Sequence, residues 1–189
     1  MKNLVIKNIG IMVLATSALC ASQISMAAPV FNATNGHYYE AIRGDFDWND
    51  ANALAAASSH MGLNGHLATL TDAVENDWVW NNMGFNVNAF LLGATDQTTE
   101  GDWQWVTGEA WSYTNWSVGE PNNCCGGEDV LEFWNNNGSW NDIWVEDGRG
   151  WHNGYIVEYE RAQVSEPGTL ALLGLGLTGL AFTRRFRKA

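Results

Sequence analysis

"EPNNCCGGED", residues 120–129, gathers Glu120, Glu128 and Asp129 around two adjacent cysteines with hardly a hydrophobic side chain, and Asp142 follows just downstream. A fold that crowds like charges so closely must neutralise them, because half-buried carboxylates facing one another are unfavourable as anions. Calcium is the simplest candidate. It takes six to eight oxygens at about 2.3–2.6 Å from carboxylates and amides, and Glu120, Asn122, Glu128, Asn141 and Asp142 supply that donor set. Magnesium prefers fewer protein ligands, and zinc prefers imidazole or thiolate. A solvated acidic loop explains the same composition, so from these residues alone both readings stand.

Working outward, the acid is concentrated in the middle of the chain. Of nine Lys and Arg, residues 28–166 hold Arg43, Arg149 and Arg161, against all 21 acidic residues, a balance of −18 where the whole chain has −12. Such a region repels nucleic acid and anionic membrane and attracts cations. It also holds all 11 tryptophans, which is too aromatic for a disordered acidic segment. The charge therefore sits on a packed core.

The pattern of elements is α+β. "GHYYEAI" (36–42) reads as an opening strand, and Asp47 caps a helix through "WNDANALAAASS". "GHLATL" (65–70) is a short strand, and Thr71 caps a second helix over "DAVENDWVWNNMG", with Asp72 and Glu75 in its first turn and Gly84 as its stop. Beyond "FLLG" (90–93) the helical signals end. Asn137-Gly138 marks a hairpin between "VLEFW" and "SWNDIW", and "GYIVEYE" closes the chain's folded part, with the first and last strands expected to meet.

"GEPNN" (119–123), "ED" (128–129), "WND" (140–142) and "YIVEYE", preceded by "FLLGATD", together resemble a C-type lectin-like domain over roughly residues 36–160. The resemblance implies two helices packed on antiparallel sheets with a long calcium-binding loop, and a cis bond before Pro121. It places a sugar-binding calcium among Glu120, Asn122, Glu128, Asn141 and Asp142. It also implies an auxiliary calcium at Asp96, Glu100, Glu128 and Asp129, where the family's remaining carboxylate is Asn123 here. The "EPN" order goes with mannose-type sugars bearing equatorial vicinal hydroxyls. Val130, Val145 and Val157 stand where the family has disulfide cysteines, and Cys124-Cys125 fits neither bridge. Trp134 and Trp144 are candidates to stack on a sugar, the other tryptophans being assigned to the core. A matrix or protein-interaction module of the same fold without sugar binding is the alternative. Paired carboxylates with tryptophans also describe a glycosidase cleft, but every candidate acid here is claimed by a metal set, so no enzyme is expected.

Both ends read as addresses. Lys2 and Lys7 precede an apolar run, and small residues before Ala27 suit a signal peptidase, giving a signal peptide over 1–27 and a domain over 28–163. Residues 164–189 contain Glu166-Pro167, the apolar stretch 168–182 and a tail of Arg184, Arg185, Arg187 and Lys188. This arrangement resembles the PEP-CTERM sorting signal of Gram-negative bacteria. It implies transient anchoring in the inner membrane, a sorting protease of the exosortase type, and release to the cell surface or its exopolysaccharide. Fifteen apolar residues are short for a stable span.

Overall fold

The computed structural model describes residues 28–83, 89–146 and 152–161. The chain order is β1 (Val30–Phe31), β2 (Tyr38–Arg43), α1 (Trp48–Ala57), β3 (Ser59–His60), β4 (Leu63–Leu67), α2 (Ala73–Asn82), β5 (Phe90–Thr95), β6 (Gln104–Trp105), β7 (Glu128–Trp134), β8 (Ser139–Trp144) and β9 (Gly154–Glu160). Among the described residues these strands join in one sheet ordered β1-β2-β9-β5-β7-β8, with β4 also on β9, β3 on β4 and β6 on β5. The first and last long strands do meet: β2 and β9 pair antiparallel from Tyr38↔Tyr159 to Arg43↔Gly154. All named strand pairs are antiparallel except β5 with β9, which makes the sheet mixed. A close approach at that junction requires glycine, since a Cβ on Gly154 would lie 2.0 Å from the Ile42 carbonyl oxygen.

Strand alternation sorts the core into two layers. Phe90, Leu92 and Ala94 of β5, Leu131 and Phe133 of β7 and Ile156 of β9 face one cluster with Tyr39, Trp103, Trp105 and Trp140. Leu91, Val130, Tyr155 and Val157 face the other, with Trp48, Ala51 and Ala55 of α1. Strands buried on both faces read as continuous apolar runs, as "FLLGA" does. Val130 and Val157 are fully enclosed in the second cluster and Val145 packs against it, so the three disulfide positions are filled by aliphatic packing.

Three local expectations shift. The cap of α2 is Asp72 rather than Thr71: its carboxylate accepts the Glu75 N–H at 2.8 Å, while Thr71 donates its own N–H and hydroxyl to Glu75 at 2.7 and 3.0 Å. The chain thus uses the Asp and the back-reaching Glu of a capping box. Asp47 occupies the α1 cap position without a side-chain capping bond. The β7–β8 hairpin closes at Trp134↔Ser139 through four residues, with Asn135, Asn136 and Gly138 at φ 60°, 40° and 76°. Gly84 lies outside the described residues.

Candidate functional site

Strand β8 presents Asn141 and Asp142, both buried, beside Glu128 and Glu132 of β7. The register slips between Glu128 and Val130, leaving Asp129 as the extra residue of a bulge that bends the strand end toward the loop. Asp142 organises that loop. Its two carboxylate oxygens accept the N–H groups of Asn122 (3.0 Å) and Asn123 (2.6 Å), and Glu128 accepts the Cys124 N–H at 2.7 Å. The Glu120–Pro121 bond is cis, as the resemblance implies. The side-chain amides complete the pattern: Asn122 donates to Glu120, and Asn141 donates to Glu132 at 3.1 Å. With one N–H of each amide given to a carboxylate, the Asn122 and Asn141 side-chain oxygens can face a cation while the second N–H remains to donate.

Glu120, Asn122, Glu128, Glu132 and Asn141 line an open depression of about 610 Å³ with Ala89, Trp134, Trp144 and Asn153, and among the described residues no Lys or Arg lines it. Burial, then the charge of Asp142, holds the Glu120 carboxyl above the ordinary carboxylate range. Burial raises Glu128 as well, against the opposing N–H of Cys124. Both are anions made costly by desolvation and by one another. Glu132 was not singled out in the sequence. It is almost fully buried, and its position opposite Asn141 on the β7–β8 ladder was the signal available.

The auxiliary set is assembled less tightly. Asp96 is buried just past β5; one of its oxygens accepts the Gly101 N–H at 2.8 Å and the other, Oδ1, has no hydrogen-bond partner. Burial, then the nearby Asp129 charge, raises its pKa despite Gly101. The Asp129 carbonyl accepts from the Asp96 N–H and the Thr95 hydroxyl. Asn123 joins the two sets by donating its amide to Glu100 and accepting the Gly127 and Glu128 N–H groups at 2.7 and 3.2 Å.

Among the described residues, three imidazole or carboxylate ligand atoms lie within 4.8 Å of one another at His37, Glu75 and Glu158 and at His66, Glu158 and Glu160, and at neither loop set. The loop carboxylates accept backbone and amide N–H groups, and Glu120 and Asp142 also lie within hydrogen-bond reach of one another. Cys124 and Cys125 are exposed thiols 3.1 Å apart. The contact with Cys125 pushes the Cys124 thiol up to about 11, the opposite of what a nucleophile requires.

The order of motifs, the two helices and the acidic loop on β7–β8 correspond to one family, and its lectin C-type domain model matches residues 48–151. The chain belongs to the C-type lectin domain family. A perlucin-like protein of Mytilus galloprovincialis is 34% identical over 136 residues, covering 69% of this chain and 83% of that protein. Halomucin of Haloquadratum walsbyi is 35% identical over 146 residues, of which this chain spans 2% of the length. Among solved structures, the C-type lectin CEL-I from Cucumaria echinata is 25% identical with a TM-score of 0.58, covering 66% of this chain and 90% of that one. The mouse scavenger receptor C-type lectin carbohydrate-recognition domain is 26% identical at 0.57, covering 66% and 91%. Membership in the C-type lectin family supports a lectin-like carbohydrate-binding role and a non-enzymatic one. A PEP-CTERM protein-sorting motif matches residues 163–188, which indicates secretion or cell-surface placement. Among the described residues no helix is long and apolar enough to cross a membrane, and the apolar stretch 168–182 lies outside them.

Proposed function

We propose that this C-type lectin binds mannose-type sugars through a calcium ion held by Glu120, Asn122, Glu128, Asn141 and Asp142. The observation that supports it best is Asp142, which ties the loop backbone at Asn122 and Asn123 to β8 beside Glu128. The donor set fits the ion: it is all oxygen, without Lys or Arg among the described lining residues, and includes carboxylates whose pKa values are raised by burial and then by the neighbouring Asp142 charge. When bound, calcium supplies a positive centre with open positions for two neighbouring hydroxyls. Glu120 and Glu128 accept the hydroxyl protons, and the Asn122 and Asn141 amides donate to the hydroxyl oxygens. Trp134 and Trp144 wall the depression and offer apolar faces to the sugar ring. Asp96, Glu100, Glu128 and Asp129 form the auxiliary calcium set, for which the unpartnered oxygen of Asp96 is the support.

The wider assignment is a signal peptide over 1–27, the lectin domain over 28–163 and a sorting segment over 164–189. The last is anchored transiently in the inner membrane of a Gram-negative cell and processed by a protease of the exosortase type. The partner is a glycan or exopolysaccharide, bound weakly per site at about −4 kcal/mol and usefully only in many copies. A second reading is a matrix or protein-interaction module without sugar binding, favoured by the loop carboxylates' hydrogen bonds to the loop's own N–H groups, which order the loop without an ion. Calorimetric titration with calcium, then with mannose, tests the proposal, and a glycan array with and without chelator separates the two readings. Calcium-dependent mannose binding supports the lectin; calcium uptake with no glycan bound anywhere on the array supports the module and ends the sugar proposal.

A further inference from the structure

A second polar cluster lies on the face shared by β2, β9 and β4. The residue preceding β2, His37, and His66 of β4 flank Glu158 and Glu160, which lie on one face of β9 by strand alternation. Glu158 accepts from the Thr69 N–H (3.0 Å) and His37 Nδ1 (2.5 Å), and lies 2.9 and 3.3 Å from the Tyr39 and Thr69 hydroxyls, which are nearer to Glu75 (2.6 Å) and Glu109 (2.7 Å). Since Glu158 accepts throughout, His37 Nδ1 bears a proton. His66 Nδ1 faces the Leu67 carbonyl at 2.8 Å, so it too bears a proton. Each imidazole therefore has its second nitrogen, Nε2, as the remaining ligand atom. Both Nε2 atoms face Glu160, at 3.4 Å from His37 and 3.5 Å from His66, and that of His66 is fully enclosed without a hydrogen-bond partner.

We infer that His37, His66 and Glu160 hold a zinc-class transition-metal ion through His37 Nε2, His66 Nε2 and the Glu160 carboxylate. In a tetrahedral site with metal–nitrogen and metal–oxygen bonds of about 2.0–2.2 Å, neighbouring ligand atoms lie about 3.4 Å apart. The two contacts to Glu160 already have that spacing, on different oxygens of one carboxylate; the three residues are not among the groups whose ligand atoms all lie within 4.8 Å of one another, so the ion has to draw the two imidazoles closer across Glu160. An imidazole whose Nδ1–H is fixed by a carbonyl or carboxylate is the arrangement that orients metal-binding histidines. The contacts are imidazole and carboxylate, a set softer than the all-oxygen loop and suited to zinc over calcium. His37 and Glu160 line a depression of about 520 Å³ with Asn35, Tyr38, Met61 and Arg161 among others, which gives an ion access from their side of the cluster.

The test is a titration of the full chain, in saturating calcium and with Cys124→Ser and Cys125→Ser to exclude thiolate binding. Zinc is followed by calorimetry and cobalt(II) by visible absorption. The expected result is one zinc per chain and the intense spectrum of tetrahedral cobalt. Both should weaken at least tenfold in His66→Gln and in Glu160→Gln, and remain in His60→Gln. An absence of zinc uptake by the folded chain, a weak octahedral cobalt spectrum, or equal affinity in all three variants would overturn the assignment. Circular dichroism of each variant shows that it is folded, and the cobalt spectrum responds to ligand identity, which a stability defect does not change.

Discussion

The domain has two dense groups of carboxylates, and they are neutralised differently. On the β2–β9–β4 face, Glu75 and Glu158 are buried against Tyr39, Thr69, Thr71 and His37, whose hydroxyls, N–H groups and imidazole answer them from within the core. In the loop on β7–β8, Glu120, Glu128 and Asp142 meet backbone and amide N–H groups and one another, and among the described residues no cationic side chain lines the depression. The first group is answered from within the chain; the second is the one for which we propose a cation from solution. A buried acid is a structural element where the chain supplies its partners and a binding element where it does not.

Removing Glu158 should break the first group most severely. Glu158→Ala strips the acceptor from the Thr69 N–H and from His37 Nδ1, and about 3–5 kcal/mol of stability should be lost, read from urea unfolding with and without calcium. A loss under 1 kcal/mol would mean that the core does not depend on this network.

Calcium should act on the second group. At about a hundredfold excess over its dissociation constant it should stabilise the wild type by about 2.7 kcal/mol, and Asp142→Ala should abolish that gain while leaving the domain folded. The same variant in metal-free buffer should cost about 1–3 kcal/mol, because the Asn122 and Asn123 N–H groups lose their acceptor. An unchanged calcium titration in Asp142→Ala would contradict the assigned site.

Acidification should produce the smallest effect, stabilising the metal-free protein through both groups, and calcium should separate them. The folded-state pKa values of Glu120, Glu128 and Asp96 are raised, so their ionised forms oppose folding above those values, and the penalty vanishes as pH falls to the ordinary carboxylate range near 4. His37, raised chiefly by its bond to Glu158, contributes stability that is full below about 6.5 and lost as pH rises through its folded value. Metal-free protein should therefore melt higher at pH 5 than at pH 7.5. Calcium-loaded protein should lose its advantage over the same range as protons displace the ion. Parallel melting curves with and without calcium at both pH values would refute the loop's role.

Much of this was legible in residue order. Short apolar runs bounded by Gly, Asn and Asp gave β5, β7 and β9, and the "EPN", "ED" and "WND" motifs pointed to a lectin fold. Less legible was whatever depends on partners distant in sequence. The cap moved from Thr71 to Asp72 because Glu75 reaches back to Thr71, a geometry that several adjacent polar residues could have provided. Glu132 looked like one more strand residue until Asn141 was placed opposite it. His37, His66 and Glu160 come from three separate segments, and only the pairing of β9 with both β2 and β4 brings them to one face.

Val130 and Val157 lie in the same apolar layer, and Val145 packs against it, at the positions where the resemblance implies cystine crosslinks. Packing of these three positions then needs no oxidising compartment, and a reductant should leave the domain's melting temperature unchanged. A module with that independence can be exported by cells that lack dedicated oxidative folding machinery.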